Sequence, residues 1–325
     1  MKDEILQMLK SRKDFISGQE LCEHFQVSRT AVWKVMKQLQ NDGYEIEAIN
    51  RKGYRLIASP DVLTVPEILS VMTTEVMGRK IYYYDCLGST NDQARMLAEQ
   101  GAEEGSLIIA ETQNTGKGRM GRAFFSPEGC GIWMSLILKP EIPPMDASMV
   151  TLVGAMAVHE MMQDYGIAAG IKWPNDIVID GRKVTGILTE MSAGPDRINY
   201  IVIGIGINAN MKFFPEELEK TAISMSMVTG ENYHRAEIIA CVMDHFEKNY
   251  REFLKTGDLR FLKERYNAGL IHKDKEIDVH EIRRVWRGIS RGINDIGELI
   301  VSSDEGDVIV RSGEVSIRGV YGYMK

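Results

Sequence analysis

Apolar runs of strand length dominate the middle of this chain, and their arrangement constrains its fold more than any other sequence feature. The runs lie at residues 81–84, 107–110, 132–138, 177–179, 186–191 and 200–207. Segments with helical periodicity lie at residues 91–100, 146–165, 235–254 and 258–266. Because several apolar runs follow each other without an intervening helix, the pattern predicts a mixed sheet in an α+β domain rather than a doubly wound parallel sheet.

The two ends of the chain differ from the middle, and from each other, in their predicted secondary structure. Residues 1–60 predict a first helix with an apolar face at 5–9, a second at 18–25 and a third at 29–41, with Ser28 as the N-cap of the third, followed by a hairpin of two strands. This is the layout of a winged helix-turn-helix domain. Residues 273–325 instead contain short apolar runs separated by glycines, which predicts a small β-barrel.

Cationic and hydroxyl side chains cluster on the third predicted helix and at the hairpin tip. Such side chains suit phosphate and base contacts in the major groove of DNA. The residues assigned to DNA contact are Ser28, Arg29, Thr30, Trp33, Lys34, Lys37, Arg51 and Lys52. The alternative is a small protein-interaction module with a solvated charged face, but the clustering of the cations favours DNA.

The net charge of −7 is unevenly distributed along the 325 residues. Residues 1–60 contain ten Lys and Arg against eight Asp and Glu, whereas the remainder contains 29 against 38. The larger part of the chain is therefore no general polyanion binder. Any nucleic-acid contact is expected in the N-terminal part.

Cysteine spacing and the N-terminal sequence bear on the cellular compartment. Cys22, Cys86, Cys130 and Cys241 form no C-x-x-C pair, so the spacing suggests neither a zinc motif nor a redox motif. The N-terminal segment is charged, and no run approaches the ~18 apolar residues of a membrane span. These features predict a reduced, cytoplasmic location without a membrane partner.

The densest functional signal is the segment 113–122, in which Lys117, Arg119 and Arg122 alternate with glycines after a predicted strand. The glycines permit positive φ and expose backbone N–H groups, so such a loop can surround a phosphate or a carboxylate. The segment lacks the Lys-Ser/Thr ending of the common phosphate loop. The alternative is a flexible basic surface loop. That alternative explains less well why three cations are regularly spaced among glycines in an otherwise acidic domain.

Four further motifs have both a functional and a structural interpretation. In the segment 172–176 (KWPND), Asp176 could bind a metal or a polar substrate group, or could cap a turn. Lys183 follows a tight turn, where a lysine is usually a solvated surface charge, and is of functional interest if it points at the glycine-rich loop. Alternating glycines in 204–208 indicate close approach of a ligand or tight backbone packing. Residues 89–91 begin a helix whose amides could hold a polar ligand, or they could simply cap it.

In order and spacing, these motifs resemble those of the biotin–protein ligase family, and in particular its bifunctional bacterial members, which also repress the biotin operon. GKGRMGR at 116–122 combined with KWPND at 172–176 is the most specific part, and the resemblance covers nearly the whole chain. It implies a winged helix-turn-helix domain at 1–62, a mixed α/β ligase domain at 63–270 and a small SH3-like β-barrel at 271–325.

The resemblance implies an ATP-dependent biotin–[acetyl-CoA-carboxylase] ligase. Such an enzyme forms biotinyl-5′-adenylate and then transfers biotin to a specific lysine of a biotin carboxyl carrier protein. The resemblance also implies a homodimer that binds operator DNA, with biotinyl-5′-adenylate as the co-repressor. The first step joins two anions, so the site must present oriented positive charge.

The resemblance also assigns site residues. Lys183 and Arg119 are the expected catalytic residues. Biotin contacts are expected from Ser89, Thr90, Asn91, Gln113, Lys117, Gly118, Arg119, Lys183, Gly204 and Gly206. Contacts with ATP or the adenylate are expected from Lys117, Arg119, Arg122, Lys172, Trp173, Asn175, Asp176, Asn208 and Arg318. Mg²⁺ should arrive with ATP, and Asp176 is the acidic group expected near it.

Two positions depart from the family pattern. Lys117 stands where many members carry Arg, which keeps the charge but loses the planar fork that holds an anion in a bidentate way. The segment 211–224 contains no Trp, a residue that some members use near adenine, so no adenine-stacking residue is assigned there.

Three alternatives remain open at this point. The central domain could sense biotin or its adenylate without turnover, although Lys183 and the complete cationic loop argue against that. The chain could be a lipoate-type ligase with similar acyl-adenylate chemistry. The N-terminal domain could be a structural lid rather than a DNA-binding domain.

Overall fold

The computed structural model describes residues 1–281 and 284–312, together with the backbone of 316–319. The chain divides into two compact units, Met1–Val71 and Met72–Lys325. Within the described residues, none of the helices combines the length and the apolar character that crossing a membrane requires. The finer division at 1–62, 63–270 and 271–325 stays a prediction.

The N-terminal unit consists of three helices, a hairpin and a short fourth helix. Its elements are α1 (Lys2–Ser11), α2 (Gly18–Phe25), α3 (Arg29–Asn41), β1 (Glu45–Ile49), β2 (Gly53–Ala58) and α4 (Val65–Val71). Ser28 caps α3, because its Oγ accepts a hydrogen bond from the Ala31 N–H at 3.2 Å. The predicted winged helix-turn-helix layout is confirmed. The sequence analysis missed α4, which spans only seven residues and shows little periodicity.

A seven-stranded sheet forms the centre of the second unit. Its strands are β3 (Ile81–Leu87), β4 (Leu107–Gln113), β5 (Ile132–Leu138), β6 (Gly170–Lys172), β7 (Asp176–Ile179), β8 (Arg182–Ala193) and β9 (Ile198–Ile207). The order is β3-β4-β5-β9-β8-β7-β6. The β3–β4 pair is parallel and the other neighbouring pairs are antiparallel, so the predicted mixed sheet is confirmed.

Helices cover this sheet and extend beyond it. They are α5 (Thr90–Glu99), α6 (Ala147–Asp164), α7 (Glu216–Glu219), α8 (Met225–Thr229), α9 (Arg235–Thr256) and α10 (Arg260–Gly269). Helix α6 is buried along most of its length and packs against β8 and α9. The four predicted helices are all present, whereas the short α7 and α8 were missed.

Strand register brings distant parts of the sequence into one row. Across five neighbouring strands, Ala110 pairs with Trp133, Trp133 with Gly206, Gly206 with Gly186, and Gly186 with Asp176. Strand β8 begins at Arg182, earlier than predicted, because its first residues are polar and interrupt the apolar pattern. Motifs that are far apart in the sequence, such as those around Ala110 and Gly206, therefore lie in one row across the sheet.

The C-terminal part is a five-stranded antiparallel sheet. Its strands are β10 (Glu276–His280), β11 (Val285–Ile293), β12 (Leu299–Ser303), β13 (Gly306–Val310) and β14 (Ser316–Gly319), in the order β13-β12-β11-β10-β14. The predicted small all-β segment is confirmed. It belongs to the same compact unit as the central sheet.

Candidate functional site

One cavity of about 300 Å³ collects residues from all five sequence motifs. Its volume lies at the lower end of the range for small-molecule sites. The predicted site residues that line it are Ser89, Thr90, Asn91, Gln113, Lys117, Gly118, Arg119, Arg122, Lys172, Trp173, Asn175, Asp176, Lys183, Gly204, Gly206 and Asn208. The Arg318 backbone pairs with Asp278 in the C-terminal sheet, and the predicted contact of its side chain lies outside the described residues.

One side of the cavity is a network of neutral polar groups at the start of α5. Gln113 Oε1 accepts hydrogen bonds from the Thr90 N–H at 2.8 Å and from the Thr90 hydroxyl at 3.1 Å. Ser135 Oγ lies 2.8 Å from Thr90 Oγ1 and donates to Asn91 Oδ1 at 2.7 Å. Ser89 stands at the N-cap position, but its side chain makes no capping hydrogen bond. These donors and acceptors suit a polar, uncharged ligand group.

Sequence analysis missed Ser135, which connects two of these residues. Strand β5 is buried at every position, and Ser135 is its one polar residue. Because a buried hydroxyl needs a hydrogen-bond partner, a serine within an otherwise apolar strand was the available signal.

The strand glycines act differently from the simple expectation that they leave room for a ligand. A Cβ on Gly204 would stand 2.1 Å from Asn91 Oδ1, and one on Gly206 would stand 2.6 Å from Phe124 Cε1. A Cβ on Gly186 would meet the Lys183 side chain at 2.6 Å. The glycines therefore admit the side chains of Asn91, Phe124 and Lys183 to the cavity wall. Phe124 was not predicted, although it stands only two residues after the glycine-rich loop.

Cationic side chains approach the cavity from two elements. Lys183 Nζ lies 2.6 Å from Asp176 Oδ1 and 5.6 Å from the centre of the Phe124 ring. Arg119 donates a hydrogen bond from Nη1 to Asn175 Oδ1 at 2.9 Å. Burial lowers the pKa of Arg119, and the nearby Asp176 carboxylate acts in the opposite direction. The loop and Lys183 thus border one small volume, as the sequence suggested.

Lys117, which also lines the cavity, is paired with an acidic residue of α5. Its Nζ lies 2.7 Å from both carboxylate oxygens of Asp92. Both side chains are more than two-fifths exposed, so the ion pair contributes little to stability. Asp92 was not predicted; it stands four residues after Gly88 and reaches Lys117 only through the fold.

The KWPND segment is anchored to the C-terminal sheet. Trp173 donates a hydrogen bond from Nε1 to the Gly297 carbonyl at 3.0 Å, and its backbone N–H donates to His272 Nε2 at 3.3 Å. His272 Nδ1 lies 2.8 Å from Ser290 Oγ. Burial, with Lys172 as a smaller contribution, lowers the pKa of His272 to about 3, so the ring is neutral. His272 and its role were missed by the sequence analysis.

Two predicted adenylate contacts also have structural roles. Asn175 donates from Nδ2 to the Ile187 carbonyl at 2.9 Å, which ties its loop to β8. Asn208 donates to the carbonyls of Lys183 and Ile223 at 3.3 and 3.1 Å. Both amides therefore position neighbouring segments while lining the cavity. In the segment 211–224, Phe214, Leu218, Thr221 and Ala222 also line it.

The predicted DNA-contacting residues of the N-terminal unit are all exposed. Ser28 uses its hydroxyl to cap α3, and Arg29 donates a hydrogen bond to Gln19 Oε1 at 2.9 Å. Trp33 is 53% exposed, which is unusual for so large an apolar side chain. The outer face of α3 thus combines cations with an exposed aromatic ring.

Comparisons with known proteins find matches both to the N-terminal helix-turn-helix unit and to the domain that contains the cavity. A helix-turn-helix domain profile matches residues 2–55, and a profile described as the biotin/lipoate A/B protein ligase family matches residues 83–208. The chain is 41% identical to the bifunctional ligase/repressor BirA of Bacillus subtilis (strain 168), across 97% of this chain and 98% of that relative. It is 29% identical to the bifunctional ligase/repressor BirA of Escherichia coli (strain K12), across 95% of both chains.

One solved structure is similar in fold to most of this chain. The biotin protein ligase from Aquifex aeolicus, in complex with biotin and ATP, superposes with a TM-score of 0.66 at 26% identity. The match covers 74% of this chain and 99% of that one.

The chain thus combines a helix-turn-helix unit with a mixed-sheet domain that contains a polar and cationic cavity. This combination defines a class of ligand-binding proteins that carry a helix-turn-helix unit. The chain belongs to the biotin/lipoate A/B protein ligase family, with the domain arrangement of its bifunctional ligase/repressors.

Proposed function

We propose that this protein is an ATP-dependent biotin–protein ligase and that it also represses transcription through its helix-turn-helix unit. The observation that carries the proposal is the single cavity in which Lys183 and Arg119 meet the neutral network of Thr90, Gln113 and Asn91. Biotin has a carboxylate and a polar uncharged ring. The carboxylate needs the cationic side of the cavity, and the ring needs the neutral hydrogen-bonding side. The named relatives support the same assignment.

The chemistry requires positive charge where two anions meet. The biotin carboxylate attacks the α-phosphorus of ATP, an acyl–phosphate bond forms, and pyrophosphate leaves. Lys183 would bind the carboxylate and the α-phosphate, and Arg119 and Arg122 would neutralise the phosphates. In the second step, a lysine amine of the acceptor attacks the acyl carbon, and AMP leaves. Lys183 serves as an electrostatic contact and not as a nucleophile.

Lys183 must exchange its present partner to do this. Its Nζ contacts Asp176, which also accepts a hydrogen bond from Asn175 Nδ2 at 3.2 Å. A substrate carboxylate can replace Asp176 at Nζ without changing the charge of the lysine. We infer that Asp176 holds Lys183 in a ready position before the substrate binds.

The neutral wall would bind the ureido ring of biotin. Gln113 and Thr90 hydrogen-bond each other, and both can offer a donor and an acceptor to the ring after small rotations. Ser89 adds a hydroxyl, while Phe124 and Trp133 provide apolar surface for the tail.

Mg²⁺ is expected to enter with ATP. Of the described residues that line the cavity, Asp176 is the acidic one, and a carboxylate together with substrate phosphates is a common Mg²⁺ ligand set. The donor set therefore fits, with Asp176 as the residue that would hold the ion. Bound there, Mg²⁺ would neutralise charge on the phosphates.

Acceptor labelling tests the ligase function directly. We expect the full-length protein with biotin, ATP and Mg²⁺ to add biotin to an isolated biotin carboxyl carrier domain, and omission of ATP to abolish the label. Unlabelled acceptor together with tight biotin binding would instead indicate a sensor. Lipoate at a tenfold excess should leave the label unchanged, whereas competition by lipoate would indicate the lipoate-type alternative.

We further propose a cytoplasmic homodimer that binds operator DNA, with biotinyl-5′-adenylate as the co-repressor. Supporting features are the exposed cations on the outer face of α3 and the helix-turn-helix match. Replacing Lys34 and Lys37 together with Ala should weaken binding to the biotin-operon promoter about tenfold or more. It should also reduce the slope of log affinity against log salt by about two, because two phosphate contacts are lost.

A gel shift across a salt series, with biotin and ATP present, measures this effect. Lys2→Ala is the matched control, because Lys2 pairs with Asp42 just beyond the C-terminal end of α3. If the wild-type protein fails to shift its promoter, the N-terminal unit is a structural lid. If the double variant binds like wild type, α3 is not the DNA-contacting helix.

A further inference from the structure

A second cluster of chemically reactive side chains lies between α6 and α9. Asp164 ends α6, and Cys241 and His245 stand four residues apart on one face of α9. Asp164 Oδ2 lies 2.7 Å from His245 Nε2 and 3.5 Å from Cys241 Sγ. The three donor atoms lie within 4.8 Å of one another. A carboxylate oxygen, an imidazole nitrogen and a thiol sulfur thus point at one position.

A further carboxylate lies behind the imidazole ring. Glu160 Oε2 is 3.5 Å from His245 Nδ1, on the opposite side of the ring from Asp164. Glu160 is buried, and it is fixed by an ion pair with Arg265 and by a hydrogen bond from Asn249 Nδ2 at 2.7 Å. At 3.5 Å this is an ion-pair contact and not a hydrogen bond, and a small approach of the ring would give the carboxylate–histidine–metal arrangement in which an outer carboxylate orients a ligating ring.

We propose that Asp164, Cys241 and His245 bind one divalent transition-metal ion of the zinc class. Sulfur, nitrogen and oxygen donors together favour Zn²⁺ and its close relatives over Mg²⁺ or Ca²⁺, which prefer oxygen alone. Three protein ligands leave a fourth position for water. Two ligands of a tetrahedral zinc stand roughly 3.3 Å apart, so the Asp164–His245 contact has to open by a few tenths of an ångström.

Binding also requires the thiol to lose its proton. Burial and the neighbouring Asp164 carboxylate raise the pKa of Cys241 to about 12 in the metal-free protein. A bound divalent ion would offset the negative charge of Asp164 and take the place of the thiol proton, which is released to solvent. The bound ion would connect the C-terminal end of α6 to the middle of α9. It would stabilise the folded protein according to its concentration.

The spacing of the cysteines concealed this site in the sequence. A search for C-x-x-C pairs finds nothing, whereas the ligands here are a C-x₃-H pair on one helix and an Asp from another. The site shares no residue with the ligation cavity, because Asp164, Cys241 and His245 are not among the residues that line that cavity.

Cobalt binding to the full-length protein, without biotin or nucleotide, tests the proposal. We expect one equivalent of Co²⁺ to produce a thiolate-to-cobalt charge-transfer band in the near ultraviolet, and Zn²⁺ to displace it. Oxygen donors around Asp176 cannot give this band. Cys241→Ser should abolish it, and Glu160→Gln should weaken Co²⁺ binding about tenfold or more.

Cys86→Ser is the matched control, because Cys86 is an exposed cysteine outside the cluster. We expect this variant to keep the full band. His245→Gln provides a second ligand variant if thermal melting shows that Cys241→Ser is poorly folded, and it should also lose the band. Absence of the band in the wild-type protein, or its persistence in Cys241→Ser or His245→Gln, would overturn the proposal and leave only an Asp164–His245 ion pair.

Discussion

Replacing Lys183 with Ala is expected to slow formation of biotinyl-5′-adenylate by about 10²–10³-fold, the usual cost of losing one preorganised group that stabilises a transition state. The variant loses the cation that would join the two anionic reactants. It also removes the cation that lies 2.6 Å from the Asp176 carboxylate, so that this carboxylate faces those reactants with less positive charge beside it. Electrostatic repulsion then adds to the loss of attraction.

Biotin-dependent exchange of pyrophosphate into ATP measures the effect without the acceptor step. Lys255→Ala is the control, because Lys255 is exposed and pairs only with Glu252 on the same helix turn among the described residues. A thermal melt of Lys183→Ala beside the wild-type protein separates folding from catalysis. A Lys183→Ala rate within a few-fold of wild type would remove Lys183 from the mechanism.

The Gly204→Ala variant is expected to lower kcat/KM for biotin by about 100-fold, mainly through a higher KM. The added methyl group would stand 2.1 Å from Asn91 Oδ1, so Asn91 has to move. Asn91 holds the Leu188 carbonyl at 3.2 Å and Glu190 Oε2 at 2.8 Å, and it accepts a hydrogen bond from Ser135. A shift would therefore disturb the neutral wall that is proposed to bind the ureido ring.

Calorimetric titration with biotin and a thermal melt together measure this effect. Gly194→Ala is the matched control, because it lies just beyond β8 and its added methyl group would be 3.9 Å from the nearest atom. We expect Gly194→Ala to bind biotin like wild type. If Gly204→Ala does the same, the close approach of Asn91 does not matter for binding, and the assignment of this wall is wrong.

The fold class followed from the sequence because local pattern determines it. Apolar runs without intervening helices indicated the mixed sheet, and the cap at Ser28 fixed the start of α3. The residues of the cavity were also found, because glycines and cations cluster along the chain. What these residues contact could not be found in this way. The pairing of Lys183 with Asp176 depends on a strand register that local pattern does not specify.

The residues that sequence analysis missed share one physical property: their roles come from packing between distant elements. Ser135 matters because β5 lies beneath the start of α5. Phe124 matters because two glycines on neighbouring strands make space for its ring. Cys241 and Asp164 are 77 positions apart and meet only when α6 packs against α9.

The neutral ring of His272 has a consequence for behaviour in acid. It accepts the Trp173 N–H, and its pKa of about 3 lies well below the ordinary value of 6.5. As pH falls from 6.5 towards 3, the unfolded chain takes up a proton that the folded chain cannot, so the folded state loses stability in this window. Acid therefore weakens the protein where the KWPND segment, which lines the cavity, is anchored to the C-terminal sheet.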